Sequence, residues 1–203
     1  GVGAPIIAFL NSSDSSKVIL ELGSDLVDGT TYTITINNVS SLTGEIISSN
    51  STTSFTYYKE KNFKDIIITE IFPDPEPTVG LPALEFVEFY NTTQDTINLT
   101  NFQFKDASTT VSTLGEYKLE GQSYVIICAN GDTTAFKPYG NVLGISNFPS
   151  LNNSGDDLQV FDNTGKLIDR VTYSDSWYKD NDKKDGGWTL EIVDPKNPCG
   201  EED

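Results

Sequence analysis

Thirty acidic side chains and a complete absence of histidine set the chemistry open to this 203-residue chain. Serine or cysteine triads built on imidazole, His-containing zinc sites and haem ligation by His are closed to it. Catalysis would have to run on carboxylates, Lys, Tyr or a bound cation. The stretch ALEFVEFYN (residues 83–91) places Glu85 and Glu88 in an otherwise apolar strand. Period-two alternation turns Phe86, Glu88 and Tyr90 to one face and Glu85, Val87 and Phe89 to the other, so the two glutamates are not an acid/base pair. Glu70 is expected in line with Ile66, Ile68 and Phe72. A carboxylate on such a face costs several kcal/mol unless backbone N–H groups, hydroxyls or a cation satisfy it. Glu70 and Glu88 therefore read as structural carboxylates at sheet ends, with a cation site as the competing reading. A glycan hydrolase would need two of Glu70, Asp74, Glu88, Asp175 and Asp180 to converge in a cleft, about 5–10 Å apart. No spacing forces that convergence, and no catalytic residue is assigned.

The metal candidate is the acidic stretch YSDSWYKDNDKKDGGWTLE. Asp180, Asp182 and Glu191 fall at the first, third and twelfth positions of an EF-hand spacing, and all-oxygen ligands suit calcium. The register fails elsewhere: Lys184 takes the fifth position and Gly186 arrives one place late for the turn. A solvated loop with Asp–Lys pairs is the alternative. Trp177, Tyr178 and Trp188 beside it are the candidate ligand-binding aromatics, able to stack on sugar rings or on a protein, with core packing as the competing fate. The loop FPDPEPTVGLP (72–82) carries four prolines and resists helix and ladder alike. It reads as a stiff crossover covering an open edge, or as a presenter of Asp74 and Glu76. Cys128 and Cys199 are too far apart in sequence for a CxxC thiolate site and read as two buried thiols or one disulfide, with a reactive thiol as the third reading.

The elements that would position these groups are strands. Short runs rich in Ile, Val, Thr, Phe and Tyr recur between Gly, Asn, Asp and Pro, and Tyr32, Ile34 and Ile36 alternate cleanly with Thr31, Thr33 and Thr35. FDNTGKLIDRV reads as a hairpin closed by Thr164-Gly165. No amphipathic helix of three turns occurs, so the chain is all-β and of sandwich type. The basic stretch around YYKEKNFKD separates two strand clusters. The expected organisation is a partial β domain at 1–58, a linker at 59–64 and a sandwich at 65–203. A formal charge of −17 disfavours nucleic acid and anionic lipid. No apolar run is long enough for a membrane span. The start at Gly1 suggests an excised or mature piece, with any export signal upstream.

Two resemblances sharpen this. LVDGTTYTITINNVSSLTGEIISSNSTTSFTY (26–57) is similar to the C-terminal half of bacterial Ig-like domains of surface-layer and adhesin type, which would leave an open edge to pair with another chain or with the second domain. DIIITEIFPDPEPTVGLPALEFVEFYNTTQDTINLTNFQFKD, then GEYKLEGQSYVIICANGD, FPSLNNSGDDLQVFDNTGKLIDRVTYSDSWY and GGWTLEIVDPKNPC, resemble in order the lamin tail domain in its bacterial extracellular form. The resemblance implies an Ig-like β-sandwich. It further implies a non-catalytic module of an exported protein, acting at the cell surface in adhesion, protein interaction or anchoring, with a protein or glycan as partner. A carbohydrate-binding accessory module or a carboxylate-based hydrolase is the alternative. No cofactor is expected apart from the calcium candidate, and the oligomeric state is open.

Overall fold

A computed structural model describes residues 2–41 and 43–197. The chain divides after Glu60 into two compact units. The first holds two separate hairpins. Strands β1 (Ile7–Leu10) and β2 (Val18–Glu21) form one, and β3 (Thr30–Ile36) and β4 (Ser51–Tyr57) form the other. In the second hairpin the alternation works as the sequence predicts. Thr31 meets Thr56 and Thr33 meets Ser54 in hydroxyl contacts of 2.9 Å on the wet face. Tyr32 stacks on Phe55 on the dry face.

The second unit runs β5 (Ile66–Phe72), β6 (Phe86–Asn91), β7 (Ile97–Asn98), β8 (Gln103–Lys105), β9 (Ser112–Thr113), β10 (Lys118–Leu119) and β11 (Tyr124–Ala129). A short helix α1 (Thr133–Phe136) follows, then β12 (Val142–Ile145), β13 (Gly155–Phe161), β14 (Leu167–Ser174), helix α2 (Asn181–Lys184) and β15 (Leu190–Glu191). One sheet has the order β12-β11-β6-β5-β15, antiparallel except for the parallel β11–β12 pair. The other has the order β14-β13-β8-β9. Their inner faces supply the core, Ile66, Ile68, Val87 and Phe89 from the first meeting Phe104, Leu158, Val160 and Ile168 from the second. Phe89 and Phe104 pack edge to face at 5.7 Å. Such contacts stabilise aromatic pairs by about 0.5–1.5 kcal/mol beyond their area. The outer face of the larger sheet carries a second apolar cluster of Phe72, Phe86, Ile126, Cys128 and Phe136, the last delivered by α1.

The start of β5 is closed by a side chain. Residues 61–64, expected as the end of a linker, belong to the sandwich: Lys61 is buried and Lys64 donates its backbone N–H to Ile168. Asp169 is 0% exposed; it takes the Ile68 N–H at 2.7 Å and the Lys64 ammonium at 2.8 Å. That carboxylate satisfies the start of β5 where β15 does not reach. The β13–β14 hairpin forms where FDNTGKLIDRV predicts it. Asp162 accepts from the Thr164 and Lys166 amides, and Gly165 takes a positive φ of 86°.

Candidate functional site

Alternation alone misplaces Glu70. The β5–β6 pairing sets Ile68 opposite Phe89 but Glu70 opposite Glu88, so Thr69 is an extra residue in β5. This bulge keeps Ile66, Ile68 and Ile71 in the inner core while moving Glu70 to the outer face beside Glu88. Glu70 therefore does not share the Ile66 and Ile68 face. On its other side β15 sets Glu191 opposite Glu70. Three glutamates from three adjacent strands thus stand in one row on the outer face. They border an open depression of about 260 Å³ with Thr69, Tyr124, Ile192 and Pro195. A larger groove of about 400 Å³ lies against the same Pro195 and is lined by Phe63, Lys64, Tyr90, Gln122 and Lys196 among others.

The row is electrostatically costly. Burial pushes the Glu88 carboxyl above its usual range, the Thr69 hydroxyl donated to it at 2.8 Å pulls it back, and Glu70 and Glu191 push it up again. Glu70 is likewise raised, first by burial, with Thr189 opposing and Glu191 adding. Glu85 stands apart, accepting the Leu151 N–H at 3.1 Å. Glu70 and Glu88 stand side by side on one face at directly paired strand positions. Like charges directly opposite one another destabilise a sheet. Because Glu88 binds its proton more tightly folded than unfolded, its contribution to stability falls as pH rises from about 4.5 through its raised value. Glu88→Gln keeps an acceptor for Thr69 and removes the charge. It is expected to raise the melting temperature at neutral pH and to match the wild type below that window, as read by thermal melts across pH. A variant less stable at pH 7 would contradict this account.

A second cluster forms where the proline loop meets the turn before β15. Gly187 donates to the Asp74 carbonyl at 2.7 Å. Gly186 and Gly187 are buried at φ of 107° and 79°, backed directly onto the Glu76 and Pro77 carbonyls. The Glu76-Pro77 peptide is cis. Tyr178 donates its hydroxyl to the Trp188 carbonyl at 2.7 Å, and burial followed by the nearby Asp74 charge pushes its phenol up to about 12. On this frame Trp177 and Trp188 are 42% and 41% exposed. They do not enter the core. The Lys183 ammonium covers one face of Trp188 at 5.1 Å.

The calcium candidates are spread over two elements, with Asp182 in the first turn of α2. Asp180 is the N-cap of α2, accepting the Asp182 amide at 2.9 Å, and Glu191 belongs to the outer-face row. Among the described residues no group of three or more His, Cys, Asp or Glu is arranged to hold a metal ion. Asp175 pairs with Lys184 at 2.9 Å. Cys128 is a buried free thiol raised to about 11 by burial, and Cys199, its candidate disulfide partner, lies outside the described residues.

Sequence reasoning missed several polar residues that hold the fold. Asn91, the last residue of EFVEFYN, is 0% exposed and donates to the Asp95, Leu119 and Glu120 carbonyls. Asp156 of the NSGDDL stretch is buried and accepts from Ala107, Asp157 and Asn152. Asp169 lies in the strand run KLIDRV, and nothing local marks it, because its partners Ile68 and Lys64 lie far off in sequence.

Two sheets packed through an aromatic-aliphatic core define an Ig-like β-sandwich module. The sequence model of the lamin tail domain matches residues 59–175, more than half of the chain. The chain belongs to the lamin tail domain family, a family of non-catalytic Ig-like modules. No curated protein matches it. Among the described residues no helix is long and apolar enough to cross a membrane.

Proposed function

We propose that this chain is an interaction module of an exported, cell-surface protein, which holds a protein or glycan partner on the surface built by Trp177 and Trp188. The observation that carries the reading is the exposure of both indoles on a rigid support. Large aromatic side chains normally bury themselves, and those held outward on a fixed frame supply contact area at low entropic cost. The Gly186–Gly187 contact and the Tyr178 hydrogen bond provide that frame. The cell-surface setting, and an adhesive or anchoring role within it, rest on the resemblance to bacterial extracellular lamin tail domains and on a charge that disfavours nucleic acid.

The experiment is binding of the purified chain to a glycan array and to defined envelope proteins, repeated with Trp177→Ala and Trp188→Ala together. The double variant is expected to keep its melting temperature within a few degrees and to lose at least about tenfold in affinity, as central aromatic anchors do. Binding that survives the double substitution would sink this surface. A glycan hit with polarised selectivity for one sugar would favour the carbohydrate-binding form of the proposal.

A further inference from the structure

Strand β15 is lightly held. It is two residues long and stands at the end of its sheet, with Leu190 paired to Ile71 and Glu191 to Glu70. Its upstream end is fixed, because Gly187 donates to the Asp74 carbonyl and Tyr178 to the Trp188 carbonyl, each at 2.7 Å. Downstream, the Ile192 N–H donates to the Thr69 carbonyl at 2.8 Å, and half-buried Leu190 rests against the core. Beyond that point the chain bonds to itself. Lys196 and Asn197 both donate back to Asp194 at 2.9 Å, Val193 is fully exposed, and Pro195 borders both depressions of the outer face. A segment with a fixed root and so few pairings opens locally at low cost.

We propose that Thr189 to Asn197 form a pH-operated strap, which lies along β5 while the row of Glu70, Glu88 and Glu191 holds a proton and lifts from it as the row becomes fully ionised. Register supplies the reason. The Thr69 bulge turns Glu70 and Glu88 to the outer face at paired positions, and β15 then adds a third carboxylate opposite Glu70. Only Glu191 can leave without breaking the sandwich, since β5 and β6 are interior strands and β15 is an edge. Among the described residues, β5 faces the row with Glu70 and the Thr69 hydroxyl, β6 with Glu88, and β11 with Tyr124, whose phenol burial pushes above its usual value and keeps neutral. The strap itself carries Glu191, Asp194 and Lys196. Lys196 lines the neighbouring groove with Asp65 and with Lys64, whose ammonium is engaged by Asp169. With the strap down, burial raises Glu70 and Glu88, the Thr189 and Thr69 hydroxyls oppose that rise, and Glu191 adds to both. Lifting takes Glu191 away from Glu70 and returns the carboxyls it covers to water, so the strapped form binds the proton more tightly. Closure is therefore fully favoured below the ordinary carboxyl value of 4.5 and is lost as pH rises through the raised ones.

The test is amide hydrogen exchange of the full chain from about pH 4 to about pH 7.5, each rate divided by the intrinsic rate at that pH. Protection of the Ile192 N–H is expected to fall at least about threefold across the range. The Ile126 N–H, which donates to the Asn141 carbonyl at 2.8 Å on the far side of the same sheet, is expected to lose less. Glu191→Gln takes one charge out of the row at an exposed position and is expected to remove most of the fall at Ile192, leaving Ile126 within about twofold of the unmodified chain. Glu116→Gln makes the same change at an exposed site away from the row and is expected to leave both amides within about twofold. Ile192 protection that does not move with pH, a fall at Ile126 as large as at Ile192, a pH dependence that survives Glu191→Gln, or its equal loss in Glu116→Gln would each overturn the proposal.

Discussion

Asp169→Ala is expected to remove about 3–5 kcal/mol from the stability of the second unit, as breaking a buried ion pair does when one partner's charge is left behind. The carboxylate is fully buried, and its two oxygens serve three donors on three segments of chain. Oδ2 takes the Ile68 N–H at 2.7 Å, while Oδ1 takes the Lys64 ammonium and the Arg170 N–H, each at 2.8 Å. Burial pushes the acid above its usual value, while Lys64 and the backbone amides act against that. Truncation removes this carboxylate from the largely buried Lys64 ammonium and strips the Ile68 N–H of an acceptor beside the Thr69 bulge. Asp169→Asn keeps the shape and one acceptor and is expected to cost less. Both tryptophans lie in the second unit, so urea unfolding followed by their fluorescence reports on that unit alone. A loss below about 1 kcal/mol, the ordinary range of a surface pair, would show that the contact is dispensable.

Gly186→Ala is expected to cost about 2–4 kcal/mol and to free the proline loop from the turn before β15. Two penalties add. A φ of 107° is a conformation that an L side chain adopts only at a cost of about 1–3 kcal/mol. A Cβ there would also overlap the Glu76 carbonyl oxygen, which is backbone and cannot swing aside, and would press on Asp74. Gly187→Ala meets the same pair of obstacles against Pro77 and Val79. The expected readouts are a shifted Trp188 emission and faster proteolysis within residues 72–82. Gly131→Ala is the control, since a Cβ there meets nothing within 4 Å, and it is expected to change stability by less than about 0.5 kcal/mol. If Gly186→Ala behaves like that control, the loop is not held by this contact. The tryptophan surface stands on the same contact, so its binding is expected to weaken together with the loop.

What was legible in the sequence was local. The alternation of β3, the hairpin at Asp162–Lys166 and the separation of Glu85 from Glu88 each depend on a few successive residues. The lamin-tail resemblance was equally readable, and the family match bears it out over residues 59–175, short of the GGWTLEIVDPKNPC piece. The exposure of Trp177 and Trp188 was not readable. An indole beside an acidic loop has the same composition whether it turns in or out, and the outcome here follows from the frame made by the proline loop and two glycines.

The row of Glu70, Glu88 and Glu191 shows where local reading ends. Strand period is a property of consecutive residues, so the sequence by itself determined that these segments are strands and that large apolar side chains alternate along them. Whether one residue is left unpaired depends on the partner strand, and the single extra residue at Thr69 reverses the facing of everything after it. Tertiary pairing therefore decided that Glu70 stands beside Glu88 and Glu191, and that Asp169 meets Lys64. Their separations in sequence are long, and only the packing of two sheets brings such groups within hydrogen-bonding distance.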